Sequence, residues 1–569
     1  MKFITRDVPP RAAWALEQAG VHPLLARLYA GRGVGDAKEL DTSLSQLLPP
    51  VGMKGMADAA CLLADAIAQQ LKMCIVADYD CDGATACAVA LRGLRLLGAQ
   101  HVDFIVPDRV VDGYGLTPSI SQRVHATGAQ VLITVDNGIA SVDGVAEAQR
   151  LGLQVLVTDH HLPGPQIPAA DALVNPNQPG CSFESKCIAG VGVMFYVLLA
   201  LRAELRVRGV FTKDSEPRLD GLLPLVALGT VADVVKLDAN NRRLVAQGLL
   251  RMRRGQLPAG MSALFQVAAR DASQAISQDM GFALGPRINA AGRLSDMRLG
   301  IECLRTDDAT LALQLAQQLD AINRERRTLE TGMREQALLI AESLMDSEDE
   351  PPPALCVYDE EFHEGVVGIV AGRLKDLHYR PCFVFAASES EGQAVLKGSG
   401  RSIPGFHLRD ALDAVVKLHP SLLLRFGGHA MAAGCTLLED DLATFEAALQ
   451  HIAAQWLDAA TLAQSLETDG PLAAADLRPD VAIELQNQVW GQGFAAPLFH
   501  DRVEVISQRI VGEKHLSLKL KLHGQSIDGI WFGHTEPLPA YAELAYRLVL
   551  DHWQGQRKLK LHVENMRTT

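Results

Sequence analysis

The stretch VADYDCDG, residues 76–83, decides the fold of the first large domain and the chemistry that it carries. It continues an apolar run over residues 73–77 that predicts a short buried strand, and a helix-prone run follows it. Because side chains of extended backbone alternate between two sides, we expect Asp78, Asp80 and Asp82 to converge on one point. Such a charge cluster is costly unless a cation neutralises it. The stretch therefore predicts half of a metal site, completed by residues that follow later strands.

The composition of the 569-residue chain is that of an ordinary globular protein with three or four domains, 48% hydrophobic and 21% charged. No apolar run reaches the roughly 18 residues that a membrane span needs, and the N-terminus does not resemble a secretion signal. The ten cysteines form no CxxC pair, which favours reduced thiols in a cytoplasm. A net charge of −14 argues against a nonspecific nucleic-acid coat protein but not against an enzyme with a local basic groove.

Apolar runs alternate with helical stretches in the first third of the chain. Strands are predicted over residues 73–77, 102–106, 131–135 and 155–158, with a helix over 142–151 between the last two. This alternation is typical of a parallel sheet with crossover helices, an α/β fold in which ligands gather beyond the carboxyl ends of the strands.

Acidic and imidazole residues follow these strands, and one more acidic residue interrupts a later apolar stretch. The set comprises Asp78, Asp80, Asp82, Asp136, His160, His161 and Asp233. Carboxylates with imidazole suit Mn²⁺ or Mg²⁺ better than a soft-ligand zinc site, and the imidazole favours Mn²⁺. Such a set can hold two ions about 3.5–4 Å apart, bridged by Asp136 or Asp82, for in-line displacement at phosphorus. A single Asp after a strand is usually a helix cap, so the prediction depends on the group, and a direct ligand role for Asp78 stays open.

Later segments predict three further parts of the chain. A long helix covers about residues 309–345, a second α/β unit follows from residue 354, and alternating residues after 498 predict a small β-barrel. We divide the chain into an N-terminal helical segment 1–45, a catalytic domain 46–305, a connecting long helix 306–350, a second α/β domain 351–460, and a linker with a barrel 461–569.

Several segments combine small residues with cations, a pattern that lets backbone N–H groups approach a phosphate. GPRINAAGR (285–293) carries Arg287 and Arg293 and is interpreted as a loop that approaches an anion. GSGRS (398–402) and FGGHAMAAG (426–434) are the others. In the barrel, the candidate contacts to a single strand are Lys514, Lys519, Lys521, Arg557 and Lys558.

The motifs DYDCDG (78–83), VDNG (135–138) and DHH (159–161), followed by Asp233, resemble the four motifs of the DHH phosphoesterase superfamily. Five further segments resemble the RecJ family of bacterial single-strand-specific 5′→3′ DNA exonucleases over essentially the whole chain: VPDRVVDGYGL (106–116), GPRINAAGR, HEGVVGIVAGRL (363–374), GSGRS and FGGHAMAAG. The resemblance implies a DHH domain, a connecting helix, a DHH-associated α/β domain and a terminal OB-fold.

The resemblance also implies roles for individual residues. The implied metal ligands are Asp80, Asp82, Asp136, His160 and Asp233, with His161 as the catalytic histidine near the attacked phosphate. The implied contacts to the DNA 5′ end are Arg109, Ser399 and Arg401, with His429 near the scissile region and Arg287 and Arg293 as backbone clamps. Smaller superfamily members have a histidine four residues before the first Asp of their DxD; Val76 stands there in this chain, and Asp78 is the candidate substitute.

The expected function is a single-stranded-DNA-specific 5′→3′ exonuclease that releases 5′-mononucleotides by two-metal-ion hydrolysis in DNA repair and recombination. The resemblance implies Mn²⁺ or Mg²⁺, single-stranded DNA, a single-strand-binding protein and a RecQ-type helicase as ligands and partners, in the cytoplasm and without a membrane. One alternative is a nanoRNA or cyclic-dinucleotide phosphodiesterase, although those relatives are typically shorter and lack the barrel. The other is a non-catalytic RecJ-like replisome scaffold, whose motifs would be eroded.

Overall fold

The computed structural model describes residues 2–108, 112–346, 351–390, 392–458, 461–553 and 556–567. The chain divides into two compact units. The larger unit contains residues 5–323 together with the segment from residue 467 onward, and the smaller unit contains residues 324–466 with the N-terminal residues 2–4. None of the helices in these ranges is both long and apolar enough to cross a membrane.

A short strand and two small helices come first in the chain, and the larger unit then forms an α/β domain. The strands up to residue 174 are β1 (Lys2–Thr5), β2 (Met73–Ala77), β3 (Val102–Ile105), β4 (Val131–Val135), β5 (Gln154–Thr158) and β6 (Ala172–Val174). The helices up to residue 207 are α1 (Pro10–Gln18), α2 (Pro23–Ala30), α3 (Met56–Ala68), α4 (Cys81–Leu96), α5 (Pro118–Ala126), α6 (Val142–Arg150) and α7 (Gly190–Val207). Those that follow are α8 (Leu223–Ala232), α9 (Ala239–Arg253), α10 (Ala259–Val267), α11 (Ser277–Asp279), α12 (Gly285–Leu294) and α13 (Arg298–Arg305).

The sheet of this domain is parallel throughout, in the order β3–β2–β4–β5–β6. Helices cover both of its faces, which explains why the strands are continuous apolar runs. Within β2, Ile75 faces the large core that contains α4 and α7, whereas Val76 faces the smaller core beneath α5 and α6. This arrangement places the carboxyl ends of the neighbouring strands β2, β4 and β5 at one edge.

Helix α14 (Ala309–Asp346) contributes residues to both units, as the predicted connecting helix requires. The smaller unit contains the strands β7 (Leu355–Tyr358), β8 (Cys382–Ser390), β9 (Gln393–Arg401), β10 (Arg425–Gly428) and β11 (Ala432–Leu437), and the helices α15 (Val367–His378), α16 (Leu408–Leu418) and α17 (Leu442–Trp456). Its sheet has the order β10–β11–β9–β8–β7, and only the β7–β8 pair is parallel.

The C-terminal region returns to the larger unit. Strand β12 (Ser465–Thr468) pairs with β1, and helix α18 (Pro479–Asn487) follows. A closed barrel is then formed by β13 (Phe499–Val511), β14 (His515–Leu522), β15 (Gln525–Phe532), β16 (Tyr541–Trp553) and β17 (Gln556–Met566). The leucines of β14 are buried and its lysines exposed, as the alternating sequence predicts. The predicted fold class, two α/β parts joined by a long helix with a terminal barrel, is confirmed.

Candidate metal centre

The three aspartates of the opening stretch lie at a strand-to-helix turn. Asp78 directly follows β2, and Asp80 is the N-cap of α4, where its Oδ1 accepts the Gly83 N–H at 3.0 Å. Asp82 belongs to the first turn of that helix. The helix thus begins at Cys81 rather than at the predicted Ala84, and the expectation that alternating extended backbone gathers the three carboxylates is wrong. They lie together because the chain reverses its direction, which brings the first helical turn over the strand end.

Asp82 is completely buried and receives two backbone hydrogen bonds. Its Oδ2 accepts the Gly190 N–H at 2.6 Å, and its Oδ1 accepts the Val191 N–H at 2.9 Å, both at the start of α7. Burial, followed by the charge of Asp80, raises the pKa of Asp82 to about 7, although these backbone bonds oppose the rise. The amides therefore fix the orientation of a carboxylate that still lacks a compensating positive charge.

Three more side chains meet Asp82 from separate elements. Asp136 follows β4, His160 follows β5, and Asp233 caps the C-terminus of α8. The His160 Nε2 atom lies 3.1 Å from Asp136 Oδ1, 3.4 Å from Asp233 Oδ2 and 4.0 Å from Asp82 Oδ2. Asp233 comes from a helix end and not from a strand end, which corrects the expectation that all later members follow strands.

The facing atoms of this cluster have unused bonding capacity. Asp136 Oδ1, His160 Nε2 and Asp233 Oδ2 are all buried, and none has a hydrogen-bond partner among the described residues. Buried polar atoms are rarely left in this state, and an ion between them is one explanation. Their donor set of carboxylate oxygens and one imidazole nitrogen fits Mn²⁺ or Mg²⁺.

The potential ligand atoms form overlapping groups. Within each group the atoms lie within 4.8 Å of one another, and the groups are Asp78–Asp80–Asp136, Asp82–His160–Asp233 and Asp136–His160–His161. Asp136 belongs to two groups, and so does His160. The structure therefore brings together all seven residues that the sequence singled out, in an arrangement with room for two neighbouring cations that share ligands.

The electrostatics of the cluster favour a cation. Burial, followed by the charges of neighbouring aspartates, raises the pKa values of Asp78, Asp136 and Asp233 well above the usual range. Burial, together with the charge of His161, lowers the pKa of His160 to about 4, so this imidazole is neutral and able to act as a ligand. Without a cation the carboxylates take up protons; a bound cation would displace them.

His161 differs from its neighbour in charge and contacts. Its Nδ1 lies 2.8 Å from Oδ1 of the buried Asp159, whose Oδ2 accepts the Ile139 N–H at 2.9 Å. Burial lowers the pKa of His161, but its hydrogen bond to Asp159 and the charges of Asp159, Asp78 and Asp80 together raise that pKa to about 9. His161 is therefore a cation at neutral pH, beside the cluster and able to donate to a phosphate oxygen.

Small residues of the surrounding helices make this density of side chains possible. A Cβ atom at Gly190 would lie 2.5 Å from Asp136 Oδ1, and one at Gly229 would lie 2.8 Å from Asp82 Oδ1. Sequence reasoning missed both glycines. The signal was present in the GVG and LGT segments, which interrupt otherwise apolar helices with a residue of low helix propensity.

The segment GPRINAAGR is not a loop, and this prediction is wrong. A π-helical turn over Met280–Leu284 leads directly into α12. Arg287 is buried, its Nη2 lies 2.9 Å from Asp320 Oδ1, and its Nη1 donates to the Ala283 carbonyl at 2.6 Å. The expectation that Arg287 clamps the DNA backbone is therefore contradicted, since its guanidinium is used inside the protein. Arg293 is half-buried in the last turn of the helix.

Helix α12 instead supports the loop that carries the aspartates. Asn289 Oδ1 accepts the Cys81 N–H at 2.7 Å, between Asp80 and Asp82 in the chain. A Cβ at Gly292 would lie 1.9 Å from the Tyr79 carbonyl oxygen, so only glycine allows this approach. Asn289 is a site residue that the sequence analysis did not identify.

The remaining predicted residues belong to other parts of the chain. In the smaller unit, the Arg401 Nη1 lies 3.3 Å from Ser399 Oγ and donates to the Gly400 carbonyl at 2.8 Å, while His429 is exposed in the turn between β10 and β11. Those of the barrel, Lys514, Lys519, Lys521 and Lys558, are all exposed. Lys519 is paired with Asp528 at 2.8 Å and Lys521 with Glu504 at 3.3 Å. Arg109 and the side chain of Arg557 lie outside the described residues.

Comparisons with known proteins agree with this arrangement of domains. Three domain families match the chain: the DHH family N-terminal domain over residues 72–230, the DHHA1 domain over residues 352–455, and the RecJ OB domain over residues 468–565. Full-length relatives share nearly half of its residues. Single-stranded-DNA-specific exonuclease RecJ of Escherichia coli (strain K12) is 45% identical over 558 residues, 96% of each chain. The protein of the same name from Dickeya dadantii (strain 3937) is 46% identical, over 95% of this chain and 96% of that one.

Solved structures give the same result. RecJ of Thermus thermophilus in complex with Mn²⁺ is similar over 100% of this chain and 80% of that chain, with a TM-score of 0.83 and 29% identity. The same protein in complex with Mg²⁺ has a TM-score of 0.77 and 28% identity, over 100% of this chain and 78% of that chain.

Proposed function

The chain belongs to the RecJ family of single-stranded-DNA-specific exonucleases, and from this membership we propose that it degrades single-stranded DNA from the 5′ end to 5′-mononucleotides. The observation that carries the proposal is the cluster of buried atoms Asp136 Oδ1, His160 Nε2 and Asp233 Oδ2, none of which has a hydrogen-bond partner among the described residues. A structural protein would gain nothing from keeping such atoms together, whereas a phosphodiester hydrolase needs them to hold cations.

Two divalent cations, Mn²⁺ or Mg²⁺, are the proposed cofactors. The residues that would hold them are Asp78, Asp80, Asp82, Asp136, His160 and Asp233. When bound, the ions would polarise the phosphodiester and neutralise the charge that develops on its oxygens. The donor set suits these ions by its chemistry, and solved RecJ structures of Thermus thermophilus are in complex with each of them.

The protein's own residues supply orientation and charge. The α7 amides hold Asp82 in one rotamer, and Asn289 holds the backbone between Asp80 and Asp82. His161, charged and oriented by Asp159, would donate a hydrogen bond to a non-bridging oxygen of the attacked phosphate. Neutral His160 would stay a ligand, because its low pKa prevents competition from a proton near pH 7.

The 5′→3′ polarity requires a phosphate-binding group for the chain end. We assign this role to Arg109, Ser399 and Arg401, with His429 near the scissile region. Arg401 already has its guanidinium oriented by the Gly400 carbonyl and Ser399 Oγ, so little side-chain entropy would be lost when it binds phosphate. For Arg293 we keep the proposed backbone contact, and for Arg287 we withdraw it because of its buried ion pair.

The barrel is the proposed platform for the rest of the single strand. Its exposed lysines Lys514, Lys519, Lys521 and Lys558, with Arg557, would contact phosphates. The barrel also separates this chain from shorter DHH phosphodiesterases, which supports DNA rather than a dinucleotide as the substrate. In the cell we propose a cytoplasmic role in DNA repair and recombination with a single-strand-binding protein and a RecQ-type helicase.

A short set of assays tests the proposal. A 5′-labelled single-stranded oligonucleotide should release labelled mononucleotide first with Mn²⁺ or Mg²⁺, and a chelator should stop the reaction. A blunt duplex and a 3′-labelled single strand should show little early label release. Faster hydrolysis of a cyclic dinucleotide or a nanoRNA than of the oligonucleotide would overturn the assignment, as would full activity in chelator.

A further inference from the structure

An exposed aromatic residue, Phe282, lies on the π-helical turn that packs on the end of α8, the helix that Asp233 caps. Gly281 packs toward Val231, where an added Cβ would lie 3.4 Å from Cγ1, and Gly285 packs toward Ala232 at 3.1 Å. Val231 and Ala232 directly precede Asp233. Phe282 lies between these two glycines in the chain, on the turn that packs on the end of α8.

The burial around Phe282 shows that its exposure is local. Its neighbours Met280, Ala283 and Leu284 are buried, whereas Phe282 itself is 78% exposed. Single π-helical turns occur frequently at functional sites. The turn therefore leaves a large ring in solvent while the residues around it in the chain are buried.

A second exposed apolar residue follows the end of α8. Val234, directly after Asp233, is 60% exposed and has a φ of 62°, in the left-handed region that β-branched residues avoid. Glycine is the usual residue at this position after a helix end. A single exposed apolar side chain is ordinary, but here one follows the metal ligand Asp233 in the chain and another lies on the turn that packs on the same helix end, and we call the two the apolar rim.

The chemistry of the proposed substrate identifies what this rim would contact. A nucleotide whose phosphate lies at the metal centre has its base one sugar away, and an unpaired base has a free apolar π-face. An aromatic side chain stacks on that face whatever the base, which suits an enzyme that must accept every sequence. In a duplex the bases are paired and stacked on their neighbours, so the same contact would favour single strands.

We propose that Phe282 is a substrate-positioning residue that stacks on an unpaired nucleobase next to the phosphodiester at the metal centre. This inference rests on the proposed function, because it needs single-stranded DNA as the substrate. Phe282 would hold the strand in place between successive cleavages without touching the reacting atoms.

The test measures release of the first nucleotide from a 5′-phosphorylated single strand with Mn²⁺, for the unaltered protein, Phe282→Ala and Phe282→Trp. We expect Phe282→Ala to raise KM about 5- to 150-fold, the range of one lost base–aromatic stack, and to change kcat much less. Phe282→Trp should keep a KM close to that of the unaltered protein. Trp14→Ala, which removes a 64% exposed aromatic residue of α1, is the matched control and should have no effect.

A series of substrates with one abasic residue at each of the first four positions makes the test specific to a base. At one position, removal of the base should raise the KM of the unaltered protein by the same factor as Phe282→Ala raises it on the normal strand. For the Phe282→Ala variant, removal of the base at that position should cause no further increase in KM. Three results would overturn the inference. The first is a KM of Phe282→Ala that equals that of the unaltered protein, and the second is a KM of Phe282→Trp as high as that of Phe282→Ala. The third is a ratio of the KM of Phe282→Ala to that of the unaltered protein that is the same whichever base is missing. If the unaltered protein fails to cleave the normal strand, the proposed function fails first and this inference with it.

Discussion

The metal centre and the terminal barrel both contain many charged side chains, but the two regions hold them in opposite ways. In the centre, Asp136 and Asp233 are held against other carboxylates, with facing oxygen atoms that have no hydrogen-bond partner among the described residues. On the barrel, Lys519 and Lys521 lie in solvent, each with an acidic partner. Buried carboxylates without a neutralising charge indicate a binding site for a cation. Exposed ion pairs, in contrast, contribute little to stability and can exchange partners. The predictions below test this contrast, from the largest expected effect to the smallest.

Replacement of an aspartate that belongs to two ligand groups should lower the cleavage rate but raise the stability of the metal-free protein. We expect Asp136→Asn to lower the rate of nucleotide release with Mn²⁺ by about 10³-fold or more, because Asp136 belongs to two ligand groups. The same change removes the cost of keeping this carboxyl group, whose pKa is raised, buried among other carboxyl groups, so the metal-free protein should melt at a higher temperature at pH 8. Single-turnover cleavage and calorimetry in chelator measure the two effects. Near-normal cleavage, or a lower melting temperature in chelator, would contradict the assignment.

The effect of Mn²⁺ on the melting temperature should grow with pH. Asp82 has a pKa raised to about 7 in the folded chain, so this state binds more protons than the unfolded state between about pH 4 and 7. The metal-free protein should therefore lose stability as the pH rises through that window, whereas ion binding, which needs carboxylates, should strengthen. Calorimetry with Mn²⁺ and with chelator at pH 5.5, 7 and 8.5 checks both trends. A metal-induced shift that shrinks with pH would refute this account.

The hydrogen bond from Cys81 to Asn289 should affect metal affinity more than the chemical step. We expect Asn289→Ala to weaken Mn²⁺ binding about 10- to 100-fold, as is usual when a group that orients ligands is lost. At saturating Mn²⁺ the turnover should recover to within a few-fold of the unaltered value. Asn565→Ala in the barrel, where the amide oxygen accepts the Met566 N–H at 2.8 Å, is the control for a generic loss of asparagine. Equal effects of the two changes would remove Asn289 from the site.

Substitutions on the barrel surface should change single-strand binding only slightly, and one should weaken it while the other strengthens it. Lys519→Ala should weaken single-strand binding about 2- to 5-fold at low salt and reduce the salt dependence by about one ion. Asp528→Ala should strengthen binding, because it removes the acidic partner of Lys519. Stability should change by less than about 0.5 kcal/mol in both variants. Titrations of a fluorescent oligonucleotide at several salt concentrations measure these differences, and weaker binding by Asp528→Ala would exclude Lys519 as a phosphate contact.

Much of the fold follows from local patterns in the sequence. Continuous apolar runs predict buried parallel strands, and the alternation in HLSLKLKL (515–522) predicts a barrel strand with leucines inside. Asp136 and His160 were also predictable as neighbours, because parallel strands bring their carboxyl ends to one edge. These inferences succeed because strand periodicity and sheet polarity depend on nearby residues.

Other parts of the site could not be predicted in this way. The approach of Asp233 from the end of α8, the buried ion pair of Arg287 and the bond from Cys81 to Asn289 all join residues far apart in the chain. Glycine and arginine in GPRINAAGR suggested a phosphate loop, yet tertiary packing made the segment a helix.

By itself, the sequence determined the residue types and the order of the elements: aspartates and histidines after apolar strands, a long helix, and a terminal barrel. Only the tertiary structure decided which of these side chains meet, how deeply they are buried and which remain without a partner. The physical reason is that local preference selects a helix or strand within a few residues, whereas the desolvation and repulsion that create a cation site exist only when distant carboxylates are packed together.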